Sequence, residues 1–166
     1  PASAWATRVQ TGDTITLAGP GGKKLLDFTA DWFVLAGDMT ALPAISVNIE
    51  QLPDHARGYA VIEILHESDI QVFQTPDAFE VHWVINPTPE KENTFLLDKI
   101  KQLPWLEGCP SIWAASEFST MRALRRYFKQ EKNLDKKAVY VSSYWKCGLS
   151  EEQHKKVKRA DAETVG

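Results

Sequence analysis

The chain has 166 residues, 43% hydrophobic and 25% charged, and its 22 acidic and 19 basic side chains give a net charge of −3. This near-average composition excludes a disordered or fibrous protein, and the acidic balance argues against a nucleic-acid binder. No apolar run reaches the ~18–20 residues that cross a bilayer, and no leader peptide is visible, so we expect a cytoplasmic protein without membrane insertion. Cys109 and Cys147 match no zinc or disulfide pattern, so no metal site is expected.

The first residues predict a short β segment that ends in a turn. Residues 14–17 alternate polar and apolar side chains, as a half-buried strand does. Residues 19–22 read Gly-Pro-Gly-Gly, which is typical of a turn.

Five apolar runs predict the strands of a sheet, over 32–36, 59–65, 79–85, 111–115 and 138–144. The runs are largely continuous rather than alternating, which favours strands that are covered on both faces. Helical patterns lie over 41–52, 92–103, 117–131 and 149–166. No helix-length pattern separates the second run from the third, so we expect a loop or a degenerate crossover there. The alternation predicts an α/β fold with a doubly wound, five-stranded parallel sheet.

Ligands of such a sheet bind beyond the carboxyl ends of its strands, which draws attention to the junction from Gly37 to Pro43. Gly37 permits a tight turn, Asp38 or Thr40 can cap the next helix, and Pro43 suits its first turn. Free backbone N–H groups there attract a phosphate or a cofactor edge, although Asp38 adds a negative charge. An ordinary capped turn explains the same residues equally well.

A second junction of the same kind runs from Ala114 to Glu117. Ser116 can cap the following helix, and Glu117 suits its positive end. Glu117 would accept hydrogen bonds from a ribose or a carboxamide, but a plain first-turn glutamate is the simpler interpretation. Trp145 follows the last strand at the same edge, where its ring would stack on a flavin or nicotinamide or seal the sheet.

The carboxyl-terminal stretch is locally basic. Residues 146–159 contain five basic and two acidic side chains. A charged run of this kind is usually a solvated helix face, and its functional interpretation is attraction of an anionic substrate.

Several motifs occur in an order that resembles one known family. They are PASAWA at residues 1–6, AGDMTALPAI at 36–45, WAASEFSTMRALRR at 113–126 and YWK at 144–146. Together they resemble siderophore-interacting proteins, which are flavin-dependent ferric-siderophore reductases of the ferredoxin-reductase superfamily. The resemblance extends over nearly the whole chain.

The resemblance implies three parts. They are the end of an FAD-binding β-barrel (1–28), an NAD(P)H-binding α/β domain (29–148) and a basic carboxyl-terminal helix (149–166). It implies cofactor contacts at Ala2, Ser3, Trp5, Gly37, Asp38, Thr40, Ala41, Pro43, Ala115, Ser116, Glu117 and Trp145. Basic residues near the domain junction would hold the anionic ferric siderophore, and we assign that role to Lys155 and Lys158, with Lys146 as a weaker candidate.

The implied activity is hydride transfer from NAD(P)H to FAD, followed by one-electron reduction of Fe(III). A general flavin reductase of the same superfamily and a non-catalytic siderophore- or nucleotide-binding module remain as alternatives. The sequence departs from the family pattern because most of the barrel is absent and Ser116 replaces a typical glycine. Asn86-Pro87 also stands where some members carry an arginine that could pair with a 2′-phosphate, which leaves the choice between NADH and NADPH open.

Overall fold

A computed structural model describes residues 5–16, 22 and 24–165, with side chains up to residue 163. All five predicted strands are confirmed, with ends moved by at most two residues. They are β1 (Trp32–Asp38), β2 (Arg57–Ile64), β3 (Ala78–Ile85), β4 (Pro110–Glu117) and β5 (Val139–Trp145).

The four predicted helices are also present, and the first three are shorter than predicted. They are α1 (Leu42–Ile49), α2 (Phe95–Gln102), α3 (Phe118–Arg126) and α4 (Glu151–Val165). A π-helical turn over Tyr127–Glu131 continues α3. The link between β2 and β3 contains only a single 3-10 turn at Glu67–Asp69, so it is the predicted loop. No helix within these described ranges is long and apolar enough to cross a membrane.

The strands pair in the order β3-β2-β1-β4-β5, and all neighbours are parallel. Helix α1 packs on one face through Ile45 and Ile49, while α2 and α3 cover the other face through Leu96 and Leu124. Layers on both faces bury the whole of β1, the central strand. The predicted doubly wound parallel sheet is therefore confirmed.

Gly37 fits the crowded carboxyl end of β1 because it has no side chain. A Cβ at Gly37 would lie 2.5 Å from the carbonyl oxygen of Ala115 and 2.6 Å from the Cβ of Ala41. These distances are well inside van der Waals contact, so glycine lets β1, β4 and the start of α1 converge.

The strand predicted at residues 14–17 is not found. Residues 14–16 are irregular and exposed, and Leu17 lies outside the described residues. A strand needs a neighbour for its backbone hydrogen bonds, and no strand in the described ranges pairs with this segment. Residues 24–26 are attached to the α/β domain by hydrogen bonds instead. The amide of Leu26 donates to Asn48 Oδ1 at 2.9 Å, and Trp113 Nε1 donates to the carbonyl of Lys24 at 2.7 Å. The domain boundary at residues 28–29 stays a prediction.

Helix α4 is held to β5 and α3 by a row of buried and half-buried polar contacts, which we call the α4 seam. His154 Nε2 and Ser143 Oγ are 2.8 Å apart. Lys158 Nζ donates to Ser142 Oγ at 2.7 Å and to the carbonyl of Ser143 at 2.8 Å. Arg125 pairs with Asp161 at 2.5 Å. The seam therefore fixes the basic helix beside the carboxyl end of the sheet.

Candidate functional site

A cavity of about 370 Å³ opens at the carboxyl end of the sheet. Strand ends contribute Asp38, Glu63 and Glu117, while residues 89–93 before α2 and the first turn of α3 form further walls. Lys146 and Cys147, just after β5, complete the lining. This is the crevice in which doubly wound sheets bind their ligands.

Asp38 joins three elements at the cavity. Its Oδ1 accepts hydrogen bonds from the backbone amide of Thr40 at 2.9 Å and from the Thr40 hydroxyl at 2.5 Å. Its Oδ2 accepts from the backbone amide of Glu117 at 2.9 Å and from Trp145 Nε1 at 2.8 Å. The ends of the first, fourth and fifth strands, which the sequence places at one edge, are therefore brought together.

The helix caps differ from those predicted. Helix α1 has Ala41 as its N-cap and no side-chain cap, because Asp38 is engaged with Thr40 before the helix begins. Pro43 does lie in the first turn, as predicted. Ser116 is not a cap: β4 continues to Glu117, so Ser116 lies inside the strand and is only 1% exposed.

Glu117 itself caps α3. Its Oε2 accepts from the backbone amide of Ser119 at 2.5 Å and also contacts the Ser119 hydroxyl, while Oε1 accepts from the amide of Cys147 at 3.2 Å. Burial alone would raise the pKa of Glu117, but these bonds and one from the Thr120 amide outweigh it and lower the pKa. A carboxylate oxygen can accept two hydrogen bonds, and among the described contacts Oε1 accepts one, from Cys147, so that oxygen can take a further donor.

Glu63 is a cavity residue that the sequence analysis did not select. It lies beside Asp38 in the parallel register of β1 and β2. Its Oε1 accepts from Asn86 Nδ2 at 3.0 Å, whereas its buried Oε2 has no hydrogen-bond partner among the described residues. Burial raises the pKa of Glu63, the Asn86 bond opposes that shift, and the charge of Asp38 adds to it. A usable signal was present: an acidic residue within the otherwise apolar run 59–65.

The remaining predicted cofactor residues occupy different depths. Ala41 and Ala115 are fully buried and are not among the residues that line the cavity, so they offer it no polar contacts. Thr40 and Pro43 are exposed at the start of α1. Trp5 is half-buried in an amino-terminal turn, where its carbonyl accepts from the amide of Arg8 at 2.9 Å. The predicted flavin contacts at Ala2 and Ser3 lie outside the described residues.

The three lysines assigned to the siderophore are not equivalent. Lys146 lines the cavity, with its Nζ 4.3 Å from the centre of the Phe118 ring. Lys155 is exposed and paired with Glu151 at 2.7 Å. Lys158 is engaged in the α4 seam, and burial followed by repulsion from Arg125 lowers its pKa. Arg122, which the sequence analysis did not assign to the site, lines the cavity as well.

These features define a doubly wound α/β domain with a polar crevice at the carboxyl ends of its strands. The family model described as "Siderophore-interacting protein" matches residues 30–148. The chain belongs to the siderophore-interacting protein family.

Named relatives agree with this family. The chain is 34% identical over 156 residues to the ferric vibriobactin reductase ViuB of Vibrio cholerae serotype O1, a match that covers 93% of the chain and 57% of ViuB. It is 28% identical to the ferric acinetobactin reductase of Acinetobacter baumannii, over 95% of the chain and 55% of that protein. A solved siderophore-interacting protein from the same species superposes with a TM-score of 0.84 at 26% identity, covering 99% of the chain and 66% of that structure. The chain thus spans a little over half the length of these two reductases.

Proposed function

We propose that the chain is the NAD(P)H-binding part of a ferric-siderophore reductase. The observation that carries this proposal is the polar cavity at the meeting of the β1 and β4 ends, in a chain of the siderophore-interacting protein family. Bound FAD would supply the conversion of a hydride from NAD(P)H into single electrons for Fe(III). The chain's own part is to bind and orient the reactants.

The cavity offers groups that suit a pyridine nucleotide. Lys91 and Arg122 supply positive charge for phosphates, and the ionised Glu117 would accept from the carboxamide NH₂. Asp38 and Ser116 line the cavity. Gly37, Thr40, Ala41, Pro43 and Ala115 lie next to them at the β1 and β4 ends and complete the proposed nucleotide site. Asp38 fixes this geometry because its hydrogen bonds hold Thr40, Glu117 and Trp145 in place.

Trp145 is the described residue that best fits a flavin or nicotinamide ring. It is half-buried, it ends β5, and its indole nitrogen is held by Asp38. Part of a flat aromatic surface thus stays accessible while its edge is anchored, which favours stacking. Within the described residues the strands form one parallel sheet, and no flavin-binding barrel is among them. We therefore expect the chain by itself to bind FAD weakly or not at all.

Lys146 is the siderophore lysine that the geometry favours. It lies at the cavity without an ion pair among the described side chains, whereas Lys155 faces Glu151 and Lys158 would have to release Ser142. An anionic ferric siderophore held near Lys146 would lie at the same edge as the nucleotide.

The exposed free thiols Cys109 and Cys147 suit a reducing compartment, and we propose the cytoplasm as the site of action.

The proposal is tested with the chain alone and with the same chain joined to a family flavin barrel. We expect the chain to bind NADH or NADPH in a calorimetric titration. We expect the joined protein to oxidise that nucleotide while reducing a ferric siderophore faster than a free ferric chelate. Siderophore binding without nucleotide oxidation would identify a binding module instead, and equal rates on both iron sources would identify a general flavin reductase.

The lysine assignment has its own test in the joined protein. Lys146→Gln should raise the KM for an anionic ferric siderophore and weaken its dependence on salt, since one attractive charge is lost. Lys155→Gln with Lys158→Gln serves as the comparison, and a larger effect there would restore the order of the sequence prediction. Unchanged KM values in all variants would show that the basic tail is only a solvated face.

A further inference from the structure

Glu63 presents one carboxylate oxygen that none of the described residues satisfies. The residue is only 8% exposed, and it lines the cavity. Its Oε2 is buried without a hydrogen-bond partner in the described part of the chain. Leaving a buried carboxylate oxygen without a donor is costly, and native proteins rarely do so unless the site serves a purpose.

Neighbouring groups do not supply the missing donor. Asp38, beside it in register, is an acceptor whose two oxygens are already bonded. Asn86 gives its amide to Oε1, and its own carbonyl accepts from the backbone amide of Thr88 at 3.1 Å. A metal ion is not indicated either, because the described residues contain no group of three or more metal-binding side chains. A hydroxyl, amide or cationic group of a ligand in the cavity would supply the missing donor.

The position of Glu63 in the sheet indicates which chemical group of the ligand would donate to it. It is the next-to-last residue of β2, in a sheet of order β3-β2-β1-β4-β5. In doubly wound sheets of this order, an acidic side chain that follows the nucleotide-binding turn by about 20 residues hydrogen-bonds a ribose hydroxyl of the dinucleotide. Glu63 follows Gly37 at a comparable interval along the chain, and it shares the cavity with Asp38 and Glu117.

We propose that Glu63 Oε2 accepts a hydrogen bond from a ribose hydroxyl of the bound pyridine nucleotide, with Asn86 as the positioning residue that holds the carboxylate. This inference rests on the proposed function, because it names the nucleotide group that the same cavity recognises. The nucleotide contains two riboses, on its nicotinamide and adenosine sides, and the experiment separates them.

The test is equilibrium binding to the purified chain, with NADH, NADPH, reduced nicotinamide mononucleotide and ADP as probes. Glu63→Gln keeps the bond to Asn86 but puts an NH₂ group where the acceptor was. The matched control is Glu67→Gln, which removes the same charge from an exposed residue just beyond β2. Loss of a negative charge alone would tighten binding of an anionic nucleotide, whereas loss of the hydrogen-bond acceptor would weaken it. The direction of the change in Kd therefore separates the two effects.

We expect Glu63→Gln to raise the Kd of NADH by about tenfold, as loss of a charge-assisted hydrogen bond does. The control should bind as the wild type does, or slightly more tightly. A rise that also appears with the mononucleotide assigns the nicotinamide-side ribose, and a rise that also appears with ADP assigns the adenosine side. Glu63→Asp, which keeps the charge but withdraws it by one methylene, should weaken NADH binding as well, and it replaces Glu63→Gln if that variant does not fold.

Wild-type affinity in the Glu63 variants, or an equal change in the control, would overturn the inference and leave the proposed function intact. Failure of the wild-type chain to bind NADH and NADPH would overturn both.

Discussion

The α4 seam and the β2 end of the cavity both bury polar side chains, but the two regions differ in how many hydrogen-bond partners those side chains have. In the seam, Ser143 meets His154, Lys158 meets Ser142, and Arg125 meets Asp161, so these buried groups find partners within the protein. At the cavity, Glu63 has one buried oxygen without a partner among the described residues. The contrast shows that paired polar groups anchor an element, whereas an unpaired one at a cavity points to a ligand. Substitutions in the seam should therefore lower the stability of the fold, and substitutions at the β2 end should weaken ligand binding.

Gly37 tests whether the cavity rests on a tightly packed strand junction, and its substitution should have the largest effect on stability. Gly37→Ala should destabilise the chain by about 3 kcal/mol, since its Cβ would collide with the backbone of Ala115. Urea unfolding measures the change. Gly22→Ala is the control, because a Cβ there would have no atom of the described residues within 4 Å. Equal stability of the two variants would mean that the junction is loosely packed.

A second prediction concerns the ion pair in the seam. Asp161 and Arg125 have side chains only 8% and 18% exposed, so Asp161→Asn leaves a largely buried guanidinium without its charge partner. We expect a loss of about 2 kcal/mol in the free energy of unfolding. Lys155→Ala breaks an ion pair whose side chains are 63% and 78% exposed, and it should cost less than about 0.5 kcal/mol. Similar costs would show that the seam does not anchor α4.

The third prediction is a pH dependence that originates in the seam. Burial lowers the pKa of His154, as do Lys158 and Lys146, while Glu117 and Glu151 oppose the shift. The unfolded chain therefore binds a proton near pH 6.5 that the folded chain takes up only at lower pH, so stability should fall as the pH falls below about 6.5. We expect the free energy of unfolding to be lower at pH 5.5 than at pH 7.5.

The raised pKa of Glu63 acts in the opposite direction, since the folded state holds that proton more readily. For this reason the measurement is the difference between the wild type and His154→Asn, followed by thermal unfolding from pH 7.5 to 5.5. An identical pH profile in the variant would contradict the assignment to His154.

The last prediction concerns the effect of Glu63 on the stability of the folded chain, which we expect to be small. Glu63→Gln should leave the free energy of unfolding at neutral pH unchanged or raise it by up to about 1 kcal/mol, because it removes a charge that burial disfavours. Thermal unfolding would test this beside Asp161→Asn. A loss as large as that of Asp161→Asn would mean that Glu63 is structural rather than kept for binding.

The fold could be predicted from the sequence because strands buried on both faces leave continuous apolar runs, as in β1 and β4. The meeting of Asp38 with Glu117 also followed from the parallel topology. The predicted caps at Ser116 and at Asp38 or Thr40 were wrong, since a shift of one or two residues at a strand end decides which side chain faces the helix. Glu63 could be noticed as an acidic residue within an apolar run, but the missing partner of its Oε2, which makes it a ligand candidate, is not displayed by a sequence.

The strand order has a consequence for how the protein is made. The central strand β1 pairs with β2, which follows it closely, and with β4, which begins only at Pro110. As the chain leaves the ribosome, β1, β2 and β3 can assemble early, while the other edge of β1 stays unpaired until β4 emerges. An open edge on so apolar a strand invites association between nascent chains. The interval of synthesis before β4 arrives is therefore the stage at which this fold most depends on chaperones.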